Sequence, residues 1–127
     1  MIPLDEEKIV KAVEKASKFV VSVSTVTLVS DYMFYSIPVS GIGSGIVYDE
    51  RGFIVTNNHV ISEARKINVT LPDNRVYEGK IVGSDPLTDV AVLKVPRTGL
   101  AAAEFYDSDK LKVGQIVLAL GNPFGLV

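Results

Sequence analysis

Phe53-Ile54-Val55-Thr56-Asn57-Asn58-His59-Val60-Ile61 is an apolar, β-branched run that halts at two asparagines and then presents the only histidine of the chain. Ile54, Val55 and Thr56 suit a pleated, half-buried strand. Asn57 and Asn58 hydrogen-bond their own backbone and favour a turn. The run predicts a strand over 53–56 with His59 just past its end. Any histidine chemistry must use His59, although a lone histidine is more often structural than catalytic.

Upstream of this run, Asp49-Glu50-Arg51-Gly52 predicts a hairpin turn from a strand over 39–48. That strand is interrupted by Gly41, Gly43 and Gly45, which imply bulges or a close approach of backbone. Residues 30–38 read as a connection, and its Tyr32, Phe34 and Tyr35 either cover a barrel edge or dock on a neighbour. Before it, residues 19–28 alternate, with Val21, Val23, Thr25 and Thr27 set against Ser22, Ser24, Val26 and Leu28, which predicts a first strand. At the start of the chain Asp5, Glu6 and Glu7 place negative charge where a helix N-terminus favours it, and Ile9, Val13, Ala16 and Val20 recur at helical spacing. A helix near 5–17 follows, with Glu7/Lys11 and Glu14/Lys18 on a solvated face.

Downstream, residues 66–71 predict a strand, Pro72-Asp73-Asn74 a tight turn, and residues 76–82 a strand running back. Asp85-Pro86-Leu87-Thr88 reads as a loop entering Asp89, and Val90-Ala91-Val92-Leu93 as a short buried strand. Residues 96–109 read as irregular. A last strand over 115–120 is closed by Gly121-Asn122-Pro123-Phe124-Gly125. Six or seven short strands, regular turns and one helix indicate an all-β chain built as an antiparallel barrel.

The totals narrow the functional classes. The 127 residues hold one ordinary domain, and 47% hydrophobic against 22% charged residues are enough to fold it. Thirteen basic and fifteen acidic residues leave a net charge of −2 with no basic stripe, so attraction to nucleic acid has no source. One histidine and no cysteine exclude the usual zinc ligand sets, and no disulfide is possible. No metal or cofactor is expected. The apolar runs fall far short of the roughly 20 residues of a membrane helix, and no signal peptide opens the chain.

His59 and Asp89 each sit at a strand terminus, 30 residues apart. A carboxylate at the start of a strand can accept the Nδ1–H of an imidazole and fix its tautomer, leaving Nε2 free to take a proton. Asp85 is the rival carboxylate. Asp89 is preferred because it abuts the apolar strand, where burial strengthens its hydrogen bonds. The bland alternative is that Asp89 only caps a loop.

Four segments occur in register: Gly43-Ser44-Gly45-Ile46-Val47, Thr56-Asn57-Asn58-His59-Val60, Asp85-Pro86-Leu87-Thr88-Asp89-Val90-Ala91-Val92-Leu93 and Gly121-Asn122-Pro123-Phe124-Gly125. With them the chain, from about Phe19 onward, resembles the HtrA/DegP-type serine proteases. The resemblance implies a trypsin-like fold of two antiparallel barrels with a catalytic pair at their cleft, His59 as general base and Asp89 orienting it. After the N-terminal helix, taken as 1–18, it implies the first barrel over 19–112 and the start of a truncated second barrel over 113–127. The family's nucleophile lies in a Gly-Asn-Ser-Gly-Gly motif that does not occur before Val127. Ser44 has glycines on both sides but lies inside a predicted strand and lacks the tight turn that exposes an attacking hydroxyl.

The expectation is the N-terminal part of a serine endopeptidase acting on unfolded protein, inactive alone, extracytoplasmic as the family mostly is, with no nucleic-acid or membrane partner. The alternative is a non-catalytic barrel that binds or assembles. Association into homo-oligomers is expected, because aromatic residues near the N-terminus build trimers in the family and an unpartnered strand over 115–120 invites exchange between chains.

Overall fold

The computed structural model describes residues 5–30, 33 and 35–121. Helix α1 spans Glu6–Ser17, and Asp5 caps it by accepting from the Lys8 amide at 3.2 Å. No residue of α1 is buried, and its ion pairs, Lys11 to Glu7 at 3.1 Å and Lys15 to Glu104 at 3.2 Å, are exposed. Such pairs stabilise by under about 1 kcal/mol each. The helix contributes no buried residue to the barrel core, and its Ile9 and Ala12 line a groove with Ile116 and Leu118.

Seven strands follow: β1 (Val20–Ser30), β2 (Ser36–Asp49), β3 (Phe53–Asn57), β4 (Lys66–Thr70), β5 (Val76–Glu78), β6 (Lys80–Asp85) and β7 (Val90–Lys94). A one-turn helix α2, Asn58–Ile61, stands between β3 and β4. Every pairing is antiparallel, in the order β5-β4-β1-β2-β3-β7-β6. The two ends of that order, β5 and β6, are consecutive in the chain and separated by Gly79 alone. The sheet therefore curls round until one segment serves both edges. No helix among the described residues is long and apolar enough to cross a membrane.

The interior is filled by alternate residues of these strands. Val21, Val23, Val47, Ile54, Ile67, Val69, Ala91 and Leu93, with Ile61 of α2 and Leu71 and Val95 just beyond strands, form one buried cluster. Each large side chain there contributes roughly 1.5–3 kcal/mol through removal from water. At the β2–β3 turn Gly52 has φ +102°, and a Cβ there would lie 2.5 Å from the Val95 carbonyl oxygen and 2.6 Å from that of Arg97, so only glycine fits. Asp49 holds the same turn by accepting from the Arg51 amide at 2.8 Å and from its guanidinium at 2.9 Å, and this hydrogen bonding takes its carboxyl down to about 2.

Several expectations are corrected. Residues 76–82 are not one strand: Gly79 breaks them, its amide donates to Ile67 at 2.9 Å, and the chain changes partner from β4 to β7. The curl of a closing barrel demands this change, which no local pattern encodes. Residues 115–120 are not a strand. They stay exposed and without regular structure after a turn at Gly114 (φ +95°), because the barrel's own edges are already joined and offer them no backbone partners. Asn57 and Asn58 do not form a simple turn; Asn58 begins α2, so His59 sits within a helical turn. Strand β7 is buried on one face only, with Ala91 and Leu93 inside and Val90 exposed.

The glycines of β2 mark close approach rather than bulges, for the β1–β2 register runs unbroken and the single irregularity of the β2–β3 pair falls between Val47 and Asp49. Of the three loop aromatics, Tyr32 and Phe34 lie outside the described residues, and Tyr35 is 68% exposed. Of the Gly121–Gly125 segment only Gly121 is described.

Candidate active site

Strand β3 carries the chain to the rim of the barrel. At its end the buried Thr56 hydroxyl donates to the Ser44 carbonyl at 2.8 Å, which ties β3 to β2 immediately before the asparagines. Helix α2 then starts, and Asn57 makes no side-chain cap for it. The cap comes instead from a segment far along the chain. Asp89 Oδ1 accepts from the His59 amide at 2.7 Å, and the Asp89 carbonyl accepts from the Asn58 amide at 3.1 Å and from Asn57 Nδ2 at 3.1 Å.

The remaining carboxylate oxygen, Oδ2, lies 2.5 Å from His59 Nδ1. Asp89 is thus gripped on both its carbonyl and its carboxylate. Its φ of +58°, in the left-handed region, turns both groups toward α2. Aspartate tolerates this conformation better than most residues.

Sequence order brings these groups together through β7. Asp89 is the residue before Val90, and Val90 pairs with Asn57 at the end of β3. The strand register therefore places Asp89 beside the first residues of α2. Asp85 is at the other side of the β6–β7 turn, accepting from the Leu87 amide at 3.0 Å and the Thr88 hydroxyl at 2.9 Å. It organises its own loop. Asn57, read from sequence as a turn former, proves to be a contact of Asp89; a polar side chain at the last position of a strand was the available signal. Ser44 lies within β2.

The His59 side chain is 72% exposed and that of Asp89 41% exposed. With Nδ1 turned to the carboxylate, Nε2 is the ring atom left for an incoming proton. Beside the pair a shallow groove is lined by Ser44, Ile46, Val55, Asn57, Val90 and Leu120. The imidazole hydrogen bond foremost, and then the His59 amide, hold the Asp89 carboxyl below its ordinary value. For a depressed carboxyl, the contact contributes stability above the unfolded value near 3.9 and loses it as pH falls through the lower folded value. In a carbon-detected NMR titration Asp89 is expected to titrate below an unperturbed aspartate, and His59→Ala is expected to raise its midpoint; an unmoved midpoint means the contact does not form in solution.

An antiparallel barrel presenting an Asp-paired imidazole at its rim has the form of the histidine-bearing half of a trypsin-like peptidase. Residues 43–127 match the trypsin-like peptidase domain family. Over 86 residues the chain is 51% identical to a probable periplasmic serine endoprotease DegP-like of Marinomonas sp. (strain MWYL1), covering 68% of this chain and 18% of that protein. Over 91 residues it is 44% identical to the periplasmic pH-dependent serine endoprotease DegQ of Escherichia coli (strain K12), covering 70% of this chain and 20% of that protein.

The solved HtrA-type protease AlgW with tripeptide superposes with a TM-score of 0.79 at 37% identity, over 93% of this chain and 36% of that one. The same protease with decapeptide gives 0.70 at 32% identity, over 83% and 38%. The chain belongs to the trypsin-like peptidase family, and within it to the HtrA/DegP type. It spans about a fifth of the length of these curated relatives.

Proposed function

We propose that this chain is the first barrel of an extracytoplasmic HtrA-type serine endopeptidase, supplying His59 as general base and Asp89 as the carboxylate that orients it. The observation that carries the reading is the 2.5 Å contact of His59 Nδ1 with Asp89 at the exposed rim. His59 Nε2 takes the proton of a serine hydroxyl as it attacks the scissile carbonyl, then gives that proton to the leaving amine, and Asp89 stabilises the imidazolium between the two steps. Residues 113–127 lead into the second barrel, which brings the serine and the oxyanion hole. Unfolded polypeptide is the substrate class. The AlgW structures that resemble this chain hold peptides, and relatives named periplasmic support the compartment.

Alone, the chain lacks the nucleophile and the oxyanion donors that give most of the rate. Labelled casein is expected to stay intact, and a serine-directed fluorophosphonate to leave no adduct. Joined at Val127 to the second barrel of a DegP-like relative, the chain is expected to cleave casein and take the label. Cleavage by the chain alone that vanishes in His59→Ala, or a folded but silent chimera, overturns the reading.

A second reading, a barrel whose task is assembly, is favoured by the exposure of Ile116 and Val117 on the segment after the barrel, at 65% and 73%. It shares with the first the expectation that this segment finds a cover, here a second copy. Light scattering on a sizing column is expected to show more than one chain per particle, weakened by Leu118→Lys. A single-chain mass at high micromolar concentration removes the assembly reading.

A further inference from the structure

The inward-facing positions of β2 run Gly41, Gly43, Gly45 and Val47, and only the last carries a side chain into the core. A Cβ at Gly45 would meet β3, 2.8 Å from Ile54 Cγ2 and 3.2 Å from the Val55 carbonyl oxygen, and one at Gly41 would meet the Thr25 hydroxyl at 2.7 Å. Gly43 differs. Its added Cβ would lie 2.7 Å from Val60 Cγ2, 2.8 Å from Val60 Cγ1 and 3.4 Å from Val60 Cβ. The space a side chain of β2 leaves empty is filled from outside the sheet, by the residue that follows His59.

We propose that Gly43 is a positioning residue: its bare α-carbon is the seat into which Val60 locks, and this seat holds α2 so that His59 meets Asp89. Val60 cannot yield by turning its side chain. Valine is branched at Cβ and held to one χ1 well in a helix, and with both methyls already against Gly43, any rotation presents another branch. Relief of the overlap therefore falls on the backbone of α2.

That helix is a single turn, Asn58–Ile61, tethered by the buried Ile61 at one end and by Asp89 at the other. An outward shift of about 1 Å restores ordinary carbon–carbon separation. A shift of that size is enough to break a 2.5 Å contact, and displacement of about 1 Å at a catalytic group lowers rates on the order of 10²-fold. The catalytic meaning of the seat rests on the reading of His59 as general base, whereas the geometry itself can be tested in this chain without any peptidase activity.

The test follows the Nδ1-bound proton of His59, which in a short imidazole–carboxylate contact resonates far downfield, together with the carboxyl titration of Asp89. Gly43→Ala is expected to lose the downfield resonance and raise the Asp89 midpoint. Gly43→Ala combined with Val60→Ala is expected to restore both. Gly83→Ala, at a strand glycine where an added Cβ meets nothing within 4 Å, is expected to leave both unchanged.

A Gly43→Ala chain that keeps the resonance overturns the proposal, as does a folded double variant that fails to recover it. Should Gly43→Ala not fold, recovery of folding and resonance in the double variant supports the seat, and failure of that recovery overturns it. A silent chimera whose resonance is intact counts against the peptidase reading while leaving the positioning of the pair in place.

Discussion

Asn in place of Asp89 is expected to lower kcat of the two-barrel chimera by about 10⁴-fold, with little change in KM. The amide retains an oxygen to accept from the His59 amide, so the cap of α2 survives. What changes is the group facing Nδ1. An amide nitrogen there is a donor, which makes Nδ1 the acceptor and moves the ring proton to Nε2, where it blocks uptake of the serine proton. The negative charge that stabilises the imidazolium is lost as well. His59→Ala is expected to cost at least as much, and the pair of substitutions little more than His59→Ala alone, since the two residues act as one unit. Burst and steady-state kinetics on a labelled peptide, with melting curves of each variant, check this. A drop under tenfold for Asp89→Asn would show that another group orients the imidazole.

The largest expected loss of stability belongs to Leu93→Ala. Leu93 is 0% exposed, pairs with Ile54 on one side and with Ile81 on the other, and so stands where three strands of the barrel meet. Removing its side chain forfeits transfer free energy and leaves a cavity that a closed barrel cannot collapse to fill. The expected loss is about 3–5 kcal/mol of unfolding free energy. Against the roughly 5–15 kcal/mol of a small domain, that is a large share. The urea midpoint should fall with an unchanged slope. Leu87→Ala, at a residue 97% exposed in the β6–β7 turn, is the control and should move stability by under about 0.5 kcal/mol. A Leu93→Ala loss no greater than the control would mean that the barrel core is not packed around β7.

The locally encoded features of the molecule were legible in its sequence. The charge pattern of α1, the alternation of β1, the β-branched run of β3, the strand pattern of β4 and the Asp49–Gly52 turn each depend on neighbours within a few residues. The four ordered segments around Gly43, His59, Asp89 and Gly121 identified the family, because spacing between motifs is read directly from the chain. Asp89 was preferred over Asp85 on its position before an apolar strand, yet the bonds that hold it come largely from the backbone of α2 and from Asn57.

What tertiary structure alone decided concerns groups whose partners lie far along the chain. Residues 115–120 have the composition of a strand but no strand paired with them among the described residues, and a strand is defined by backbone partners it cannot supply itself. Residues 76–82 have one composition and two partners, so the closure of the barrel divides them at Gly79. The left-handed backbone of Asp89 and the helical turn at His59 stabilise each other across 30 residues; neither is favoured locally, and each persists because the other satisfies its hydrogen bonds.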